Sequence, residues 1–304
     1  MRLDDFDPNI DVEDQGDRGG GFGGGGGGGL GGGLLFAFLP MIFNRFGCLG
    51  VVVVLGLFYL FSGGLQLADT GGSGGTRAPV EANGARSGAT AVCSTNADYK
   101  TACNAFSSAN KTWAAYFQQL GQPYAAPKLR FYENNGESGC GGAQSAMGPF
   151  YCPQDQGIYL DTSFFQELSQ RFGASGDFAQ DYVIAHEFGH HIQKLLGTSD
   201  KVNDLQRRSN EAQGNRYSVM LELQADCFAG VWAAKNRDRM DPDDLAEGLR
   251  AAQAIGDDTL QKETQGRVVP EQFTHGTSQQ RMTWLKRGID TGDYRQCDTF
   301  SGAI

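Results

Sequence analysis

Apolar residues recur every three or four positions between residues 96 and 120, so that Tyr99, Cys103, Phe106, Trp113 and Phe117 line one face of a predicted helix. The same period returns at Tyr182, Ala185, Gly189, Ile192 and Leu196. Asp177 stands at the N-cap of that segment, Gln180 at the reciprocal capping-box position, and Gly197 can close it in a left-handed turn. A third helical period runs through Tyr217, Leu221, Ala225, Phe228 and Trp232, inside a proline-free stretch from 215 to 235. Asp241-Pro242 opens a further predicted helix reaching about Ile255, with proline at its first position, and Ser278 to Ile289 makes a last one. Strand character is confined to Lys128–Tyr132 and to Pro149–Leu160, the latter broken by a turn at Gln154-Asp155-Gln156-Gly157. A few strands beside a helical core predict an α+β fold.

The first ninety residues read differently. Residues 19–33 hold thirteen glycines, interrupted only by Phe22 and Leu30, and cannot bury enough apolar surface to offset their chain entropy. Acids dominate what precedes them, which argues against nucleic-acid binding there. Residues 1–45 are therefore expected to be a disordered, acidic and glycine-rich cytoplasmic segment. An apolar run from Leu34 to Phe43, then Asn44-Arg45, leads into a second run from Phe46 to Phe61, and residues 46–63 are close to the length of one transmembrane helix. Its late start argues against a cleaved signal peptide. Residues 64–91, rich in Gly, Ala, Ser and Thr, read as a flexible linker, which leaves 92–304 as one domain with a sizeable core.

Charge and cysteines bear on orientation. Arg45 lies just before the apolar run, and no Lys or Arg follows it until Arg77, which places the N-terminus inside by the positive-inside rule. Cys93, Cys103, Cys140, Cys152, Cys227 and Cys297 all follow the apolar run, an even set that fits an oxidising compartment. Pairing Cys93 with Cys103 and Cys140 with Cys152 closes two short loops and leaves Cys227 with Cys297, one of fifteen possible pairings. The net charge of −10 disfavours anionic partners.

The candidate chemistry lies at His186-Glu187-Phe-Gly-His190. Positions four apart share a helix face, so both imidazoles can meet one metal ion. Glu187, about 100° further round, sits beside that ion, where a carboxylate can take a proton from metal-bound water. A third ligand is still needed. The position six residues beyond His190 is Leu196, which closes the route through a third histidine. Glu222 and Asp226 share a face of the next helix among Leu221, Leu223, Ala225, Cys227 and Phe228, a poor setting for a solvated acidic stripe. Buried carboxylates need partners. Glu222 can complete a His₂Glu zinc site, and Asp226 can reach a ligating imidazole.

The two motifs together resemble the gluzincin pattern. Glu222-Leu-Gln-Ala-Asp-Cys-Phe-Ala-Gly230, Gly148-Pro-Phe-Tyr-Cys152, Phe273-Thr-His-Gly-Thr-Ser-Gln-Gln-Arg281 and Asn9-Ile-Asp-Val-Glu-Asp14 further resemble the neutral zinc metallopeptidase family of bacteria. The resemblance spans nearly the whole chain. It implies a zincin-like peptidase anchored by one transmembrane helix in the bacterial cytoplasmic (inner) membrane, with one catalytic Zn2+ and the peptidase domain outside or periplasmic. It also puts the loop of His275 near the metal, as a donor to the oxyanion that forms on a peptide carbonyl. His191 points to another helix face and is expected to be structural. Tyr151 and Arg281 fall in motif segments and could bind substrate. A peptidase acting on proteins or peptides is the leading reading. A zinc-stabilised binding scaffold and a zinc amidase acting on cell-wall peptides remain the alternatives, and the intact Glu187 weighs against the scaffold.

Overall fold

The computed structural model describes residues 1–17, 86–302 and 304. Strands β1 (Val12–Asp14) and β2 (Arg86–Ser87) come first, followed by helices α1 (Ala89–Cys93) and α2 (Ala97–Gln119). Asn96 caps α2 by accepting from the Tyr99 N–H, and the predicted stripe Tyr99, Cys103, Phe106, Trp113 and Phe117 is buried. Strands β3 (Lys128–Phe131), β4 (Asn135–Ser138), β5 (Gly141–Gln144), β6 (Phe150–Cys152) and β7 (Gly157–Leu160) follow. Five strands form one sheet in the order β2-β1-β3-β7-β6, parallel through β1, β3 and β7 and antiparallel at both margins, while β4 and β5 pair as a separate hairpin. Tyr99 of α2 stacks on Phe131 of β3 at 4.1 Å, joining the first long helix to the sheet.

Seven helices complete the chain: α3 (Ser163–Gln170), α4 (Asp177–Leu195), α5 (Thr198–Arg207), α6 (Glu211–Lys235), α7 (Asp244–Ala254), α8 (Asp257–Gln265) and α9 (Ser278–Thr291). Helix α4 packs against α2, α6 and α7, and α6 packs in turn on α9. The described residues thus make an α+β fold with a small sheet and mostly helices. Three disulfides staple it, Cys93–Cys103, Cys140–Cys152 and Cys227–Cys297.

Glycines set two of the helix contacts. A Cβ on Gly230 of α6 would fall on the backbone of α9 at Leu285 and Ile289, and one on Gly288 of α9 would fall on the Cys227 carbonyl. These two helices therefore touch backbone to backbone, which carries the start of α9 down onto α6.

Several expectations are corrected. Gly176, not Asp177, is the N-cap residue of α4, and having no side chain it makes no capping bond itself. The Phe178 N–H is shared between Asp177, at the first helical position, which accepts at 2.9 Å, and Glu247 of α7, which accepts at 3.2 Å. Helix α7 begins at Asp244, beyond Pro242. The linker ends sooner than expected, because residues 86–93 already form β2 and α1.

The largest correction concerns residues 1–17, which are packed into the domain rather than disordered. β1 lies inside the sheet between β2 and β3, with Glu13 opposite Arg130 and Ser87. Ile10 and Val12 are buried, and Arg130 pairs with Asp11 at 2.9 Å and Glu13 at 3.5 Å. Gln15 exchanges two 2.9 Å bonds with the backbone of Glu137. Composition misleads here because a strand held on both sides needs few apolar residues when a distant arginine answers its acids. The domain therefore includes the N-terminal segment. The expected transmembrane helix at 46–63 and the glycine tract lie outside the described residues; among the described residues no helix is long and apolar enough to cross a membrane.

Candidate metal centre

His186 and His190 project from the middle of α4, one turn apart, and Glu222 faces them from α6. The approach depends on Gly189. A Cβ there would stand 2.9 Å from the Ala225 carbonyl oxygen and 3.0 Å from its Cα, so only glycine lets α4 and α6 cross this closely.

The donor atoms converge. Glu222 places one carboxylate oxygen 3.1 Å from His186 Nε2 and the other 3.4 Å from His190 Nε2. In a tetrahedral zinc site, bonds of roughly 2.0–2.1 Å separate neighbouring donors by about 3.3–3.4 Å, so the spacing of Glu222 from His186 and His190 is of the size such a site needs. Burial opposes charging His186, but Asp226 and Glu222 outweigh it and hold its pKa up to about 10. Burial likewise opposes ionising Glu222, yet the two imidazoles keep its pKa well below the carboxylate range. The site is therefore built around one strongly acidic carboxylate seeking positive charge.

Behind the ligands lies a buried network. Asp226 Oδ1 accepts from His186 Nδ1 at 2.7 Å, from the Tyr182 hydroxyl at 2.6 Å and from Arg281 at 2.9 Å, while Oδ2 accepts from Arg281 Nε at 2.9 Å. A proton is thereby held on His186 Nδ1, so that a metal binding at Nε2 would displace only the second proton, the one facing Glu222. Arg281, 2% exposed at the floor of the cleft described below, is the counter-ion of Asp226, delivered by the α6–α9 contact. His191 is structural, as expected. Its Nε2 donates to the Ala125 carbonyl at 2.7 Å, so Nδ1 accepts from the Tyr151 hydroxyl at 3.1 Å, and burial depresses its pKa to about 4.

A cleft of about 620 Å³ opens over these residues and includes Glu187, Tyr151 and His275. Glu187 is buried apart from its edge on the cleft, and its carboxylate has no hydrogen-bond partner among the described residues. His275 reaches the cleft with its side chain half exposed, and its Nδ1 lies 3.1 Å from Asp257. Asp257 also accepts from the backbone N–H groups of Thr274, His275 and Gly276, fixing the whole turn. That hydrogen bond raises the His275 pKa against the opposing effect of burial.

Residue spacing carried signals for some of the missed partners. Tyr182 stands four residues before His186 and Gln193 three after His190, each on a ligand-bearing face. Asp257, from a different helix, left no such trace.

Residues 2–300 match the model of a family described as "Putative neutral zinc metallopeptidase". The chain belongs to that family. It is 55% identical over 195 residues to the "Uncharacterized protein YpfJ" of Escherichia coli K12, covering 64% of this chain and 68% of that one. It is 42% identical over 227 residues to the "Uncharacterized protein Rv2575" of Mycobacterium tuberculosis, covering 69% and 75%. No solved structure matches it. The family's metal agrees with the donor set of His186, His190 and Glu222.

Proposed function

We propose that this chain is a zinc metallopeptidase that hydrolyses peptide bonds in the cleft above His186, His190 and Glu222, with a zincin-like division of labour between α4 and α6. The observation that carries the reading is the Glu187 carboxylate, which lines the cleft with the three converging ligands, acts on His190 and has no hydrogen-bond partner among the described residues. A scaffold would need the ligands but would have no use for a carboxylate held beside them on the cleft.

Bound zinc would supply Lewis acidity, polarising a carbonyl and acidifying water. Glu187 takes the proton from the attacking water and returns it to the leaving amine. His275, with Nδ1 given to Asp257, donates through Nε2 when its ring is cationic, and so meets the negative charge growing on the carbonyl oxygen. Asp226 and Arg281 act through His186, holding its ring. Phe150 and Tyr151 of edge strand β6 line the cleft, where an extended peptide can add to the strand's free side.

The decisive experiment compares peptide-library cleavage by the zinc-loaded full chain with that by Glu187→Gln at equal zinc occupancy. The full chain is needed because a fragment beginning after the glycine tract would lack β1. Cleavage by the unmodified protein alone supports the reading, and cleavage by neither, with zinc bound and the fold intact, removes it. We further propose that the domain resides outside the cytoplasmic membrane of a bacterium, because three disulfides need an oxidising compartment.

A further inference from the structure

His186 is oriented by a carboxylate, but His190 is oriented by an amide. Its Nδ1 lies 2.9 Å from Gln193 Oε1, one helical turn along α4. Gln193 Nε2 donates to the Leu221 carbonyl at 2.7 Å and to Gln224 Oε1 at 3.2 Å, and Gln224 Nε2 donates to the Cys297 carbonyl at 2.9 Å. Gln193 is wholly buried and Gln224 nearly so.

The direction of this chain is fixed by its ends. Backbone carbonyls only accept, so both glutamines must turn their NH₂ groups toward Leu221 and Cys297. Reversing Gln193 would set its oxygen against the Leu221 carbonyl and leave two buried lone pairs facing each other. Gln193 Oε1 therefore faces His190, which must carry its proton on Nδ1 and keep its Nε2 lone pair for the metal.

One end of the chain is held by a disulfide. Met220, Gln224 and Cys227 share a face of α6, opposite in role to the face bearing Glu222 and Asp226. Cys297 is bonded to Cys227, which holds its carbonyl beside Gln224, and Thr299 Oγ1 donates to the Met220 carbonyl at 2.6 Å two residues later. We propose that Gln193 and Gln224 are positioning residues that couple the Cys227–Cys297 disulfide to His190, so that the intact disulfide supports the affinity of the site for zinc. The proposal rests on the zinc-binding reading of His186, His190 and Glu222.

The test is zinc affinity of the full chain, by competition with a chromophoric chelator and without any peptide substrate. Gln193→Met removes the acceptor for His190 and is expected to weaken zinc binding about 10- to 100-fold. Gln224→Met, less central to packing, is expected to weaken it less. Joint replacement of Cys227 and Cys297 by serine should weaken binding in the unmodified protein but add nothing in the Gln224→Met background. Unchanged affinity in Gln193→Met and Gln224→Met, with circular dichroism unaltered, would overturn the relay, and so would fully additive losses from the cysteine and Gln224 changes. If the unmodified chain binds zinc no better than His190→Ala, the zinc reading itself fails, a result separate from loss of the relay.

Discussion

Gly189 on α4 and Ala225 on α6 approach so closely that the glycine's missing methyl group would stand 2.9 Å from the alanine's carbonyl oxygen. Glu222 lies one turn before Ala225 and the ligand histidines flank Gly189, so this contact sets the spacing of the metal site itself. Gly189→Ala is expected to cost about 1–3 kcal/mol of stability through overpacking and to weaken zinc binding. Gly214→Ala, at a position on α6 with open space around it, should instead be neutral or stabilising by up to about 1 kcal/mol. Urea midpoints and chelator competition on both variants check the contrast.

Asp257 gives the His275 role a pH signature. Its hydrogen bond raises the His275 pKa; Glu222 also raises it, while burial and Arg281 oppose. If cationic His275 steadies the oxyanion, activity falls as pH rises through that raised pKa. Asp257→Asn removes a charge and a strong acceptor, so the alkaline limb of kcat should move to lower pH while zinc affinity holds. A profile whose alkaline limb stays in place would remove His275 from the chemistry.

Burial of neutral His191 should show in acid stability. Its folded pKa of about 4 lies below the ordinary value near 6.5, so the unfolded chain binds the proton first as pH falls. The contribution is complete above pH 6.5 and is lost between 6.5 and 4, amounting to about 3 kcal/mol. His191→Gln can keep a donor toward Ala125 without titrating, and its urea midpoint should fall less between pH 7 and 4.5 than that of the unmodified protein.

The helices that carry chemistry were legible in the sequence because their signals are local. The ligand spacing at His186 and His190, the acid pair one turn apart on α6 and the glycine at 197 all lie within a few turns of what they determine. Arg281 was not legible: its role depends on the Gly230–Gly288 contact, between helices some fifty residues apart in the chain. The same holds for the start of α4, where Glu247 of α7 joins Asp177 at the Phe178 N–H, and for Asp257 behind His275. β1 is the extreme case. Its partners Leu129, Arg130 and Phe131 are more than a hundred residues away, and local composition pointed the other way.

β1 also constrains membrane topology. Glu13 is paired with Arg130 on one side and Ser87 on the other, so residues 12–14 and the domain must share a compartment. A single crossing between them, with the N-terminus inside and the domain outside, would split one sheet across the bilayer. Single cysteines at Asp4 and at Glu263, both exposed, can be probed in intact cells with a membrane-impermeant maleimide in a background lacking Cys48. The sheet requires the two positions to label alike, and the disulfides require both to label from outside. Labelling at Glu263→Cys alone would mean that β1 is not part of the sheet in the cell, and that the apolar run crosses the membrane once.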